Sequence, residues 1–228
     1  NYNVVVGDEA GTALTTGDNN VAVGYGALDA EDTGTDSVAI GYNALTAQNN
    51  DSTNYNVAVG SSAGAAITSG VQNILVGALA GDAVTTGNSN VSVGHGSLSL
   101  NTASHRNTAI GEFSLAALNI TTSTNAYNTA LGYSAGAGVT TGVENTLIGS
   151  LAGDALTDAD FNVAFGVAAL GSDTKGSKSV AIGNSALLRQ NFTTATDSFN
   201  VAVGHDSGSN ITTGIRNTLI GGLAGDAL

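Results

Sequence analysis

Cysteine, methionine, proline and tryptophan are all absent from this chain of 228 residues. Without cysteine there is no disulfide framework and no thiolate metal site. That leaves the redox compartment open and is compatible with an exterior location. Aromatics are only 5% of residues, so a large mixed core is excluded. Ala, Val, Leu and Ile supply most of the apolar content and suit a thin, uniform one. Only 5 basic residues oppose 18 acids, for a net charge of −13. Nucleic acid demands clustered Lys and Arg, so it is excluded as a partner. An anionic membrane surface is excluded on the same ground. No apolar run approaches the roughly 18 residues of a membrane span, so no membrane insertion is expected within this segment. The chain lacks an initiating Met and opens and closes in mid-pattern, at Asn1-Tyr2-Asn3 and Ala227-Leu228. It is therefore expected to be a segment of a longer protein.

What is present is a period. Gly7, Gly24, Gly41, Gly60, Gly77, Gly94, Gly111, Gly132, Gly149, Gly166, Gly183, Gly204 and Gly221 recur at a basic spacing of 17. A fixed short period means one unit stacked on itself. Before each glycine stand a β-branched residue, a small one (most often Ala) and a large apolar one, as in Val21-Ala22-Val23-Gly24. Alternation with β-branched residues reads as a short strand with one face buried. Glycine and clusters of Asn, Thr and Ser break every helical window. A second strand is expected in each unit, as at Ala13-Leu14-Thr15-Thr16. Two strands and two corners per seventeen residues predict an all-β parallel solenoid of about 13 coils over residues 1–228.

Four residues before the glycine stands Asn in eleven coils, including Asn20, Asn73, Asn90, Asn145 and Asn217; Ser37 and Ser179 are the exceptions. Stacked amides can satisfy corner backbone groups, so the glycines and asparagines read as structural corners rather than a ligand row. Beyond the glycine, volumes compensate. Gly64 goes with Ile67, Gly81 with Val84, Gly136 with Val139 and Gly153 with Leu156, whereas Leu28 goes with Glu31, Leu98 with Asn101 and Leu170 with Asp173. Each such coil supplies one large aliphatic group, as close packing requires.

Three glycine spacings exceed seventeen, every fourth coil, and place Gly60, Gly132 and Gly204 72 residues apart. The enlarged corners end at Tyr55, Tyr127 and Phe199, and a larger residue replaces the middle Ala at Val5, Leu75, Leu147 and Leu219. The expected modules are approximately 1–55 (partial), 56–127, 128–199 and 200–228 (partial). The middle-position column is expected to face partner chains, with its Leu interdigitating.

Asp36-Ser37-Val38-Ala39-Ile40-Gly41 and Ser179-Val180-Ala181-Ile182-Gly183 resemble the repeats of trimeric autotransporter adhesin heads. Asn128-Thr129-Ala130-Leu131-Gly132-Tyr133 is similar to repeats of phage tail fibres and large surface proteins. The resemblance covers the whole chain. It implies a left-handed parallel β-roll, a homotrimer and adhesion to surfaces. The coil here is longer than the usual adhesin-head coil, and no neck or stalk is visible.

The histidines stand too far apart in coil number to converge on one another, and no constellation of nucleophile, base and stabiliser appears, so no enzyme is expected. Tyr25, Tyr42, Tyr133, His95 and His205 each follow a key glycine and are expected to point outward, as possible contacts for a glycan or protein of a host surface. Asn119, Asn191 and Asn210 match the glycosylation acceptor pattern. Acidic pairs such as Asp158/Asp160, Glu31/Asp32 and Asp8/Glu9 could hold Ca²⁺ between corners, without an EF-hand or nonapeptide motif. No other cofactor is expected. The leading expectation is a structural fibre or adhesin segment, extracellular, on a cell surface or on a virion, self-associating as a trimer or filament. The alternative is a carbohydrate- or ice-binding solenoid module, the latter through threonine pairs such as Thr15-Thr16 and Thr85-Thr86.

Overall fold

Asn-β-branched-Ala-β-branched-Gly is a strand bounded by two turn formers. In a computed structural model, which describes residues 2–226, every such segment is a three-residue strand. Asn1 and Ala227-Leu228, which mark the interrupted pattern at the two ends, lie outside the described residues. Thirteen strands, from Val4–Val6 to Thr218–Ile220, form one parallel sheet in chain order. Within each unit the strands pair in the same register: Val21 with Val38, Ala22 with Ala39 and Val23 with Ile40 in the first, and Val163 with Val180, Ala164 with Ala181 and Phe165 with Ile182 in the second. The protein is a parallel β-solenoid of about thirteen coils, with no helix among the described residues.

The chain divides into two compact units, Asn1–Asn107 with Asn119–Asn125, and Thr108–Leu118 with Ala126–Leu228. Each repeats the same coil.

Two expectations are corrected. The second strand is not formed: residues 13–17 are turn and bend, and one strand per coil is the rule. The exception is a two-stranded sheet pairing Gly176–Ser177 with Thr196–Asp197. Each strand is followed instead by a run of left-handed residues, for example Gly24, Gly26 and Leu28 at φ 127°, 60° and 54°. Alternating left- and right-handed residues keep the backbone turning. Its N–H groups still bond to neighbouring coils, as Leu28 does to the Ala44 carbonyl at 3.0 Å.

The second correction concerns which face is inside. The middle residue of the strand is buried, and the large residues on either side of it point out. Ala22, Ala39, Ala58, Leu75, Ala130, Leu147 and Ala202 have no accessible surface. The middle column therefore does not face partner chains. The interior is narrow: the strand faces a wall of Ala27 and Leu28, or their equivalents, and only a small residue fits opposite Leu. Where the wall carries glycine, the strand can carry leucine. A methyl placed on Gly64 would lie 2.7 Å from Leu75 Cδ1, and one on Gly81 2.8 Å from Leu75 Cδ2. Leu75 thus fills the space left by two glycines in successive coils. Leu147 does the same over Gly136 and Gly153. The compensating Ile67, Val84, Val139 and Leu156 are buried as the volume pattern demands.

The key glycines adopt φ between 127° and 140°. A Cβ on Gly77 would stand 2.6 Å from the Gly94 carbonyl oxygen, so conformation and stacking both require glycine there.

Candidate functional site

The corner before each strand is built from buried amides. In the first unit the Asn73 backbone N–H donates to Asn56 Oδ1 at 2.9 Å, and the Asn90 N–H to Asn73 Oδ1 at 3.0 Å. Asn73 Nδ2 donates onward to the Gly87 carbonyl at 2.9 Å. In the second unit Asn145 and Asn162 repeat these contacts on Asn128 and Asn145. Each amide thus satisfies backbone groups of two coils that would otherwise be buried unpaired. These contacts engage both ends of the amide, so the column serves the fold rather than a ligand.

Ser37 and Ser179 are too short for that role, and Gln48 and Gln190 take it over. Gln48 Nε2 donates to Ser37 Oγ at 2.9 Å, and its Oε1 accepts from Asn56 at 2.8 Å. Gln190 bridges Ser179 and Asn200 at 2.8 and 2.7 Å. Behind each glutamine lies a buried carboxylate. Glu31 accepts from the Gly34 N–H, Gln48 and Asn54 at 2.8, 2.9 and 3.1 Å. Asp173 accepts from the N–H groups of Gly176 and Phe192 at 3.0 Å and from Gln190 at 2.6 Å. These networks went unnoticed in the sequence, although the signal was there: a polar residue seven after the glycine in two successive coils. Their oxygens are turned inward, so Glu31 is not beside Asp32 on a surface. Of the other acids considered for calcium, Asp158 lies 3.5 Å from Lys175 and Asp160 accepts the Val143 N–H at 2.8 Å. Among the described residues no group of three or more His, Asp or Glu is placed to hold a metal ion.

His105 stands two residues before the corner residue Asn107. His105 Nδ1 accepts the Asn88 N–H at 2.8 Å, and Nε2 lies 2.7 Å from Ser123 Oγ in the enlarged corner. This geometry requires the neutral tautomer with the proton on Nε2. Burial, aided by neighbouring Arg106, lowers the His105 pKa below the ordinary value.

The surface carries the remaining candidates. Tyr25 and Tyr42 are 44% and 55% exposed and stack with ring centroids 5.5 Å apart. A hydrogen bond to Glu9 raises the Tyr25 pKa. Tyr133, His95 and His205 are exposed too, each on its own coil, so the five residues do not converge. Asn119, Asn191 and Asn210 are exposed. Asn119 and Asn191 accept hydrogen bonds from Thr102 and Thr174 at 3.1 and 3.2 Å, and Asn210 donates to the Asp226 carbonyl. The first threonine of each pair is engaged by the next coil: Thr15 and Thr85 donate to the carbonyls of Asp32 and Thr102 at 3.1 and 3.0 Å.

The outer face of the strands is also apolar. In the first unit the outward residues of the six strands are Val4 and Val6, Val21 and Val23, Val38 and Ile40, Val57 and Val59, Ile74 and Val76, and Val91 and Val93. All are partly or fully exposed, and none is polar. In the second unit the outer column before the glycine is equally apolar, and threonine shares the other column, at Thr108, Thr129, Thr146 and Thr218.

The fold defines the class, a β-solenoid repeat protein. No protein-family model, curated protein or solved structure matches the chain. Among the described residues no helix is long and apolar enough to cross a membrane.

Proposed function

We propose that this chain is a structural fibre or adhesin segment that works outside the cell or on a virion. It associates with copies of itself, as a trimer, and presents a repetitive surface for attachment. The reading assigns it no catalytic step and no cofactor. Its support is the outer face of the parallel sheet in the first unit. Parallel sheets are ordinarily covered on both faces. Here twelve aliphatic side chains stand uncovered on six adjacent strands. Strands about 4.8 Å apart and about 10 Å long make a block of roughly 300 Å². That is the lower end of the largest apolar patch on an ordinary monomer, a patch that is often functional. The acids that give the chain its −13 charge lie off this face. Association through it removes apolar surface without bringing those charges together. The partner surface is therefore the flanking Val and Ile columns, and not the buried middle column.

The test is the mass of the folded chain by light scattering over a range of concentrations. A trimer that Val57→Lys with Val59→Lys converts to monomer supports the reading. A stable monomer overturns it.

A further inference from the structure

In the second unit a row of residues stands immediately before the corner residues, five asparagines and Ser179: Tyr127, Glu144, Phe161, Lys178, Phe199 and Arg216. Aromatic and charged side chains alternate from coil to coil. The three rings are 49%, 47% and 46% exposed. We propose that Tyr127, Phe161 and Phe199 form a docking strip for a flat, β-1,4-linked polysaccharide. This deepens the attachment half of the function proposed above and rests on it.

Folding does not account for the rings. All six residues are left-handed, and the aromatics have φ of 52°, 60° and 50°. Bulky side chains are disfavoured there, whereas Asn and Gly accept the conformation readily. Asn19 occupies the equivalent place in the first unit at φ 60°. Half-exposed rings held at a costly backbone position are retained for something other than the core.

Spacing indicates what they fit. Rings on alternate coils are two strand spacings apart, about 9.6 Å. A flat, two-fold β-1,4-linked chain repeats its ring face once per disaccharide, at a comparable length. Every second sugar can therefore set its C–H face on a ring, an apolar contact that aromatics make well. Glu144, Lys178 and Arg216 stand between, where they accept from or donate to the hydroxyls of the intervening sugars. Lys178 is fixed by Asp197 at 2.6 Å and lies 5.4 Å from the Phe199 centroid, steadying that ring. Beside the row stand the outward Thr129, Thr146, Val163, Val180 and Val201, each the first residue of its strand. An α-1,4-linked chain coils and cannot follow evenly spaced rings.

The experiment is co-sedimentation of the purified full chain with microcrystalline cellulose and with α-chitin, and titration with cellohexaose and chitohexaose. Amylose is the control. Phe161→Asn with Phe199→Asn removes the rings with a residue suited to the left-handed backbone, and Tyr127→Asn tests the third ring separately. Melting temperature checks that each variant is folded. The expected result is binding to one or both β-1,4 polymers, which distinguishes a glucan from an amino-sugar source. The double variant should weaken it at least tenfold. Binding to neither polymer, equal binding to amylose, or undiminished binding by folded variants overturns the strip. Light scattering on the same samples separates the two readings. A trimer that binds no glycan loses only the strip, and a monomer that binds loses only the self-associating fibre.

Discussion

Gln48 donates its side-chain amide to the Ser37 hydroxyl at 2.9 Å, and so completes the amide column from a position eleven residues further along the chain. The same relation joins Gln190 to Ser179. Seventy residues further on, Asn107 and Leu118 stand at the equivalent places in the sequence. There the column keeps its own amide, donating to Asn90 Oδ1 at 3.0 Å, and the interior position is a buried leucine. The accompanying residues change in step. Glu31, Gly34 and Asn54 correspond to Asn101, Ser104 and Ala126. Two solutions to one packing problem, one polar and one apolar, occur in a single chain.

Interchange of the two solutions is testable. Gln48→Leu alone leaves Ser37, Asn56 and the buried Glu31 short of partners, and should cost about 3 kcal/mol or more. The fivefold change Glu31→Asn, Gly34→Ser, Ser37→Asn, Gln48→Leu and Asn54→Ala copies the middle module and should recover most of that loss. Urea denaturation of the three proteins measures both. A fivefold variant no more stable than Gln48→Leu would refute the equivalence.

Gly77→Ala should be among the most damaging single changes, at about 3 kcal/mol or more, because φ 132° and the Gly94 oxygen 2.6 Å from the new methyl act together. Gly221→Ala carries the same backbone strain, at φ 127°, but its methyl meets nothing within 4 Å. It should cost distinctly less. Equal losses in thermal unfolding would mean that coil-to-coil contact contributes nothing to the glycine requirement.

Leu75→Ala should destabilise by about 2–5 kcal/mol, the range for a buried leucine that leaves a cavity. Gly81→Ala combined with Leu75→Ala fills part of that space and should be less damaging than the sum of the two single changes. Additive losses measured in a double-mutant cycle would show that Leu75 does not pack over Gly81.

Acid should loosen the corner held by His105. Its folded pKa is lowered, so the neutral form is the one the fold favours. The stability it contributes is full above the unfolded value of about 6.5. It is lost as pH falls from there through the lower folded value, because a protonated Nδ1 cannot accept the Asn88 N–H. Hydrogen exchange at Asn88 should accelerate over that window, beyond the intrinsic pH dependence of exchange. His105→Asn, which places in this coil the residue found at Asn88 in the coil before, should abolish the effect.

Asp82 and Asp154 lie 72 residues apart, and burial raises both pKa values. A raised carboxyl pKa means that the charged form costs stability above the unfolded value, and that the cost fades as pH falls through the folded value. Asp82→Ala, which copies Ala65 of the preceding coil, should therefore stabilise at pH 7, by no more than a few tenths of a kcal/mol because solvent screens the part-exposed carboxyl. The gain should shrink toward pH 3. A gain that stays constant with pH would exclude desolvation as its cause.

Much of the fold was legible because a stacked coil must repeat its length. The glycine period alone counted the coils, and the Asn column located the corner, since both residues answer to backbone requirements that do not depend on neighbours far away. The longer module was legible for the same reason, through its three enlarged corners. The Tyr and His positions after the glycines could be read as a column, but their use could not, because exposure carries no record of what binds. The alternating row of Tyr127, Phe161 and Phe199 was half visible, as an aromatic at the end of each enlarged corner. Phe161, on a coil of ordinary length, was missed.

What the sequence determined by itself was therefore the coil, its number and its grouping by fours. The tertiary structure decided which side of the strand is the inside. Hydrophobicity favoured Val and Ile for the core, yet a side-chain period of two lets either face serve, and a shift of one residue exchanges them. The width of the interior made the choice. With Leu28, Leu45, Leu98 and Leu170 projecting from the opposite wall, only alanine or, at Ser92, serine fits across from them. Leucine enters the strand where glycine opens the wall, as at Leu75 and Leu147. The larger aliphatic residues are left outside.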